Sequence, residues 1–290
     1  MKRLPGEGNM RGGSMTDAME WKINREYAVA TGRAFGGAII FSLPLMMTME
    51  MWWLGFYMPR SRLILFLALT VPLLSVLAYY AGFEKGAGPR DFVLDAFAAL
   101  AVGFVASAAI LLVLAVLETG MSADEIAGKI VLQAIPGAIG AMLARSQLGQ
   151  RDAGGEEESR RDTYGGELFL AGVGAMFMAF NVAPTDEIVL IALMMTEWHA
   201  IALVAGSLLM MHGFVYAVGF RGTAEPREGS AAREFVRLTA VAYVLSLLIS
   251  LYVLWTFGRT DGLGLEELVK TVLVLGFPAA IGAAAARLIL

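Results

Sequence analysis

Two glutamates stand inside apolar runs long enough to cross a bilayer. Glu50 lies in GGAIIFSLPLMMTMEMWWLG, and Glu187 lies in AGVGAMFMAFNVAPTDEIVLIA with Asp186 beside it. At 1.5 Å per helical residue, Glu50 is about 25 Å from Arg33 and about 15 Å from Arg60. Glu187 is about 30 Å from Glu167 and about 15 Å from Glu197 by the same measure. Both carboxyls are therefore expected in the outer half of the membrane rather than at an end. Keeping a carboxylate there costs at least ~2.5–3.5 kcal/mol on insertion scales, so water, a cation, a partner or a proton must offset it. Two such groups facing each other could share a proton or hold a cation between them.

The surrounding residues suit that chemistry. Pro44 precedes Glu50 by six residues and Pro184 precedes Glu187 by three, with Asn181 at the position equivalent to Pro44. Proline in a spanning helix frees a carbonyl, and broken helices with polar groups at membrane depth recur in transporter sites. Thr48, Thr185 and Asn181 would be supporting polar ligands, and His212, near mid-membrane, a proton relay. The alternative is a kink that serves packing alone, with hydrogen-bonded neutral carboxyls and a histidine bonded to a neighbour. His199 and His212 fall on nearly opposite helix faces, so no zinc pair is expected.

Other chemistry is thinly represented. There is no cysteine, which excludes disulfides and thiolate sites. There is no P-loop, dinucleotide fingerprint or HExxH motif. Lys270 lies near a helix end, unlike a buried Schiff-base lysine, and the adjacent methionines point to different faces, as lipid-facing or core filler does. No enzyme activity, cofactor or metal is expected. A net charge of −4 gives no reason to expect nucleic acid as a partner.

The elements that must position these residues are membrane helices. The chain has 290 residues, 58% hydrophobic and 17% charged, with a mean hydropathy of +0.66. Runs of about 20 apolar residues occur near 34–58, 62–83, 92–117, 126–145, 168–195, 198–220, 234–257 and 267–290. The first run sits behind a polar tail and is long enough to span, so it reads as a helix rather than a cleaved leader. Residues 1–33 form the tail, with a surface helix near 20–31 anchored by Trp21 and Tyr27, or a plain flexible segment, as open alternatives. Eight spans leave all but Arg60, Arg62, Lys129, Arg259 and Lys270 of the 22 basic residues on one side. By the positive-inside rule that side is cytoplasmic, with both termini on it. The polar segment 146–167 is then a cytoplasmic connector.

The chain also matches itself. IPGAIGAMLAR (135–145) aligns with FPAAIGAAAAR (277–287), placing Pro136 on Pro278, Gly140 on Gly282 and Arg145 on Arg287. RDFV (90–93) aligns with REFV (233–236), Tyr79 with Tyr216, Thr48 with Thr185 and Glu50 with Glu187. The fold class follows as all-α: a polytopic transmembrane bundle of eight spans in two parallel four-helix repeats, 34–145 and 168–290. Small residues such as Gly137, Gly140 and Gly282 let helices approach closely. The two helices carrying them, with Pro136 and Pro278, are read as the packed centre, a small-residue pore being the other reading.

The ProThrAspGlu segment and the two Pro-x-Ala-Ile-Gly helices resemble a family of bacterial integral membrane proteins of unassigned function, from about Arg33 to the C-terminus. That resemblance implies a fold and no activity. The acidic repeat also has something of the cation exchangers, but Pro precedes Thr here and parallel copies do not suit their inverted architecture. Two functions stay open. One is a transporter or channel for protons or small cations built on Glu50, Glu187 and Asp186. The other is a non-transport membrane partner or assembly protein whose acids only fasten helices. The lipid bilayer is the expected partner in both, and a homo-oligomer is compatible with either.

Overall fold

The computed structural model describes residues 10–81, 88–148, 163–219 and 235–289, and every regular element among them is helical. In chain order these are α1 (Met10–Met46), α2 (Met49–Tyr57), α3 (Arg60–Ala81), α4 (Pro89–Val113) and α5 (Ala123–Leu148). They continue with α6 (Tyr164–Val182), α7 (Glu187–Met194), α8 (Glu197–Gly219), a π-helical turn (Phe235–Ala240), α9 (Val241–Thr256) and α10 (Leu265–Ile289). Among the described residues, seven helices are long and apolar enough to cross a membrane, and the pair α7–α8, bent by 119°, allows an eighth span. Most of the 146–167 connector and much of the two basic loops near 84–91 and 221–237 lie outside the described residues.

The first span differs from its expected bounds at both ends. Nothing between Met15 and Phe41 stops a helix, so α1 runs on from Met10 and absorbs the segment read as a separate surface helix. At the other end Pro44 removes a backbone donor, and the helix stops two residues later at Met46. Thr48 then turns extended (φ −98°, ψ 119°) and α2 begins. The fifth span repeats this: α6 ends at Val182, just before Pro184, and α7 starts at Glu187. Glu50 and Glu187 therefore sit in the first turn of short helices, past the ends of the candidate spans Met19–Met46 and Tyr164–Val182.

Each half is organised around its last helix. α5 packs against α1, α2, α3 and α4, and α10 packs against α6, α7, α8 and α9. α5 is the more deeply enclosed, its most apolar stretch 72% buried against 50% for α10. Glycine makes the closest crossing. A Cβ on Gly140 would strike the Gly37 carbonyl and Phe41, and one on Gly282 would strike the Gly174 carbonyl and Met178. Lipid gives helices no hydrophobic reason to associate, so such backbone contact supplies the attraction. Gly137, one turn away, is buried in α5 with a Cβ position 3.4 Å from Gly103. Several buried hydroxyls are satisfied locally: Ser42, Thr70, Ser246, Ser250 and Thr271 each donate to the carbonyl four residues back.

Between the halves runs an aromatic seam. Phe41 meets Phe177 at 3.9 Å between ring centroids, Tyr80 stacks on Phe169 at 5.2 Å, and Phe66 meets Phe180 at 5.3 Å and Phe257 at 6.1 Å. The starts of α3, α5, α8 and α10 gather with the ends of α4 and α9 on one face, called distal here because α1 begins at the other.

Candidate functional site

The sequence-predicted polar residues are spread over two helix breaks, and the contacts at each break are made with the protein itself. The Thr48 hydroxyl donates to Pro44 O at 2.6 Å, and Thr48 N donates to Leu45 O. Buried Gln133 of α5 donates a further bond to Leu45 O at 3.3 Å, and the Trp52 indole donates to Met46 O at 2.6 Å. In the second half the Thr185 hydroxyl donates to Val182 O at 2.9 Å, and Asn181 donates to Phe177 O at 2.7 Å. Arg259 donates to both Pro184 O and the Asp186 carboxylate.

Glu50 is half-buried and Glu187 exposed, and among the described residues neither has a hydrogen-bond or ion-pair partner. No hydrogen bond joins them; α2 packs on α5 and α7 on α10. Each carboxylate lies where the helix N-terminus favours negative charge, typically by 0.3–1 kcal/mol. His212 lies half-buried in α8, its Nδ1 3.3 Å from the Thr239 hydroxyl of the π-helical turn. Pro136 and Pro278 fall inside α5 and α10, four residues before Gly140 and Gly282 of the glycine crossings.

The distal face holds what the sequence reading passed over. Arg60, Arg62, Lys129, Arg259 and Lys270, the five basic residues on the minority side, all meet an acid there. Arg60 binds Asp124 at 2.6 Å, Arg62 binds Asp261 at 2.8 Å, and Lys129 binds Glu125 at 2.8 Å. Arg259 binds Asp186, and Lys270 reaches Glu266 at 2.5 Å and Glu197 at 3.3 Å.

A cavity of about 410 Å³ opens on this face between α2, the α4–α5 connection and the start of α5. Trp52, Trp53 and Phe56 wall one side and Leu114, Ala115 and Val116 the other, with Glu118 and Met121 between. Lys129 and Glu125 complete it, the lysine side chain only 9% exposed. Lys129 reaches this place because Gly55 lets α2 lie directly on it: a Cβ at Gly55 would be 2.7 Å from Lys129 Cα. Ala115 has φ 54°, a left-handed conformation that costs a non-glycine residue roughly 1–2 kcal/mol.

Residues 30–290 match the family described as "Putative integral membrane protein (DUF2391)". The chain belongs to that family. Membership of DUF2391 agrees with the resemblance carried by the ProThrAspGlu and Pro-x-Ala-Ile-Gly segments, and its description states membrane integration without an activity. No curated protein and no solved structure matches the chain.

For this DUF2391 member, two of the distal ion pairs were open to a sequence reading. Glu125–Lys129 and Glu266–Lys270 are four apart on a helix, the spacing at which opposite charges meet. The cavity had a weaker signal, a lysine within an otherwise apolar span opposite a TrpTrp pair. Its walls come from three chain segments, which only the folded arrangement brings together.

Proposed function

We propose that this integral membrane protein works by binding at its distal face, as a partner or ligand-binding protein, rather than by passing ions between Glu50 and Glu187. The capping of the carbonyls that end α1 and α6 by side chains of the protein carries this reading. A conducting site at membrane depth needs freed carbonyls or polar side chains turned toward a path. Here Thr48, Gln133 and Trp52 take up the carbonyls of Pro44, Leu45 and Met46. Thr185 and Arg259 take up those of Val182 and Pro184.

The architecture supporting this reading is a duplication. Residues 34–145 and 168–290 are two parallel copies of a four-helix unit, in our proposal, with the 1–33 tail, the 146–167 connector and both termini cytoplasmic at the bacterial plasma membrane. The matched glycine crossings support this, Gly37 with Gly140 and Gly174 with Gly282. A matched turn supports it too: Val116 N bonds Leu111 O beside Ala115 (φ 54°), and Arg259 N bonds Leu254 O beside Gly258 (φ 76°).

Transport of protons or small cations is the second reading, favoured by two observations. Glu50 and Glu187 occur one per half and lack protein partners among the described residues, and at the breaks Gln133 Oε1, Asn181 Oδ1 and Arg259 Nε are buried without a hydrogen-bond partner. Proton and cation flux into liposomes holding the purified protein separates the two. The binding reading expects flux equal to that of protein-free liposomes. Flux in the wild type that disappears in Glu50→Gln/Glu187→Gln would overturn it in favour of transport.

A further inference from the structure

We propose that the distal cavity beneath α2 binds an amphipathic oxyanion, a carboxylate or phosphate group carried on an apolar tail, with Lys129 as its counter-ion. This deepens the binding reading above and rests on it.

The Lys129 ammonium is the first reason. Its side chain is 9% exposed and has three donors to place. One goes to Glu125 at 2.8 Å. Among the described residues its other contacts are the Val116 carbonyl at 3.5 Å, at the limit of a useful bond, and the Met121 thioether sulfur at 3.6 Å, a weak acceptor. A buried cation with one good partner has capacity for another anionic oxygen, and the cavity it lines, about 410 Å³, is within the size range of small-ligand sites.

The second reason is that the architecture does not require a lysine there. The corresponding position of α10 is Thr271, fully buried, whose hydroxyl donates to Glu267 O at 2.6 Å. The cavity wall differs in the same way. Trp53 and Phe56 correspond to Leu190 and Leu193 of α7. The α7–α10 crossing thus places no cation at this position and no aromatic ring at these two, so packing alone does not call for Lys129, Trp53 or Phe56.

The wall chemistry sets the rest. Trp53 and Phe56 are each 58% exposed, so the cavity opens beside apolar surface that suits a hydrocarbon tail. The bond from Trp52 to Met46 O fixes the inner ring before any ligand arrives. An organic cation would find aromatic faces but would lie against the Lys129 ammonium, whose spare donors offer it no acceptor. Glu118, exposed, opposes an anion only through solvent, where salt screens it.

The test uses the full-length protein in neutral detergent and reads quenching of its tryptophans by brominated probes. Dibromostearate supplies a carboxylate, brominated phosphatidylglycerol a phosphodiester, and inorganic phosphate the headgroup without a tail. Saturable quenching by either tailed probe is expected, weakened at least tenfold in Lys129→Met and Lys129→Thr. Glu125→Gln frees the ammonium and should tighten binding, a direction that misfolding does not produce. Preference between the two tailed probes identifies the source, a fatty acid or a lipid headgroup. Equal titrations in wild type and Lys129→Thr, no saturable quenching, or displacement by dodecyltrimethylammonium but not by unbrominated stearate would overturn the proposal. Ion flux in the liposome experiment would overturn the binding reading itself, whereas binding indifferent to Lys129 removes only this site.

Discussion

The two halves of the molecule share a frame and differ in where they put charge. In both, the first helix crosses the last at glycine, breaks near a proline and continues as a short helix. At the distal end the chemistry changes sides. In the first half a cation at the start of α3, Arg60, binds an acid on α5, Asp124. In the second an acid at the start of α8, Glu197, meets a cation on α10, Lys270. The second half also clamps its helix break with Arg259, whereas Val116 occupies the matching place in the first and leaves a cavity beside it. Packing geometry is thus what the halves have in common, and polar chemistry is free to differ on top of it.

The shared frame can be broken at the crossings. Gly140→Val and Gly282→Val should each cost about 3 kcal/mol or more, since the new Cβ meets a backbone carbonyl that cannot move aside. Gly36→Ala, with nothing within 4 Å of its Cβ position, is the control and should be close to neutral. The midpoint of SDS-driven unfolding in mixed micelles reads both. A neutral Gly282→Val beside a damaging Gly140→Val would show that the halves do not depend on the same contact.

The difference between the breaks is tested at Arg259. Arg259→Ala leaves the Pro184 carbonyl without its donor and Asp186 without its cation, for an expected loss of ~1–3 kcal/mol. Much of the damage should be local to α7. Proteolysis or hydrogen exchange should rise over residues 183–195 while α2 in the other half stays protected. Equal loss of protection in both short helices would mean that the clamp serves the whole distal face.

These contrasts also show what one sequence can disclose. The apolar runs, the basic-residue bias and the PGAIG–PAAIG match were legible because each is a local or periodic pattern: Gly140 and Gly282 announce close packing by their spacing alone. Depth was harder. Counting residues from Arg33 to Glu50 assumed one straight helix, but the chain breaks at Met47 and Thr48 and Glu50 stands in the first turn of a separate helix, α2. The acids drew attention because a buried charge is costly, yet among the described residues the charged side chain that is buried is Lys129, seen in the sequence only as a flaw in a weak span. Its surroundings depend on α2 folding back over α5, which no spacing rule encodes.

The smallest expected effect concerns how the halves hold each other. Arg62, at the start of α3, reaches across to the second half. It binds Asp261 through both terminal nitrogens at 2.9 and 2.8 Å, donates to Trp255 O at 2.9 Å and lies 5.0 Å from the Trp255 ring. Its counterpart His199 stays within its own helix start, bonded to Thr196 at 2.8 Å. The bridge is therefore one-sided, and the aromatic seam around Phe66 must supply most of the adhesion. Asp261 is half exposed, so solvent screens the pair, and a coupling of only ~0.5–1 kcal/mol is expected from a double-mutant cycle of Arg62→Ala and Asp261→Ala. Phe66→Ala, which removes a buried ring from the seam, should cost several times more, about 3–5 kcal/mol. A coupling across Arg62–Asp261 that equals the Phe66 loss would make charge, rather than ring packing, the agent that joins the halves.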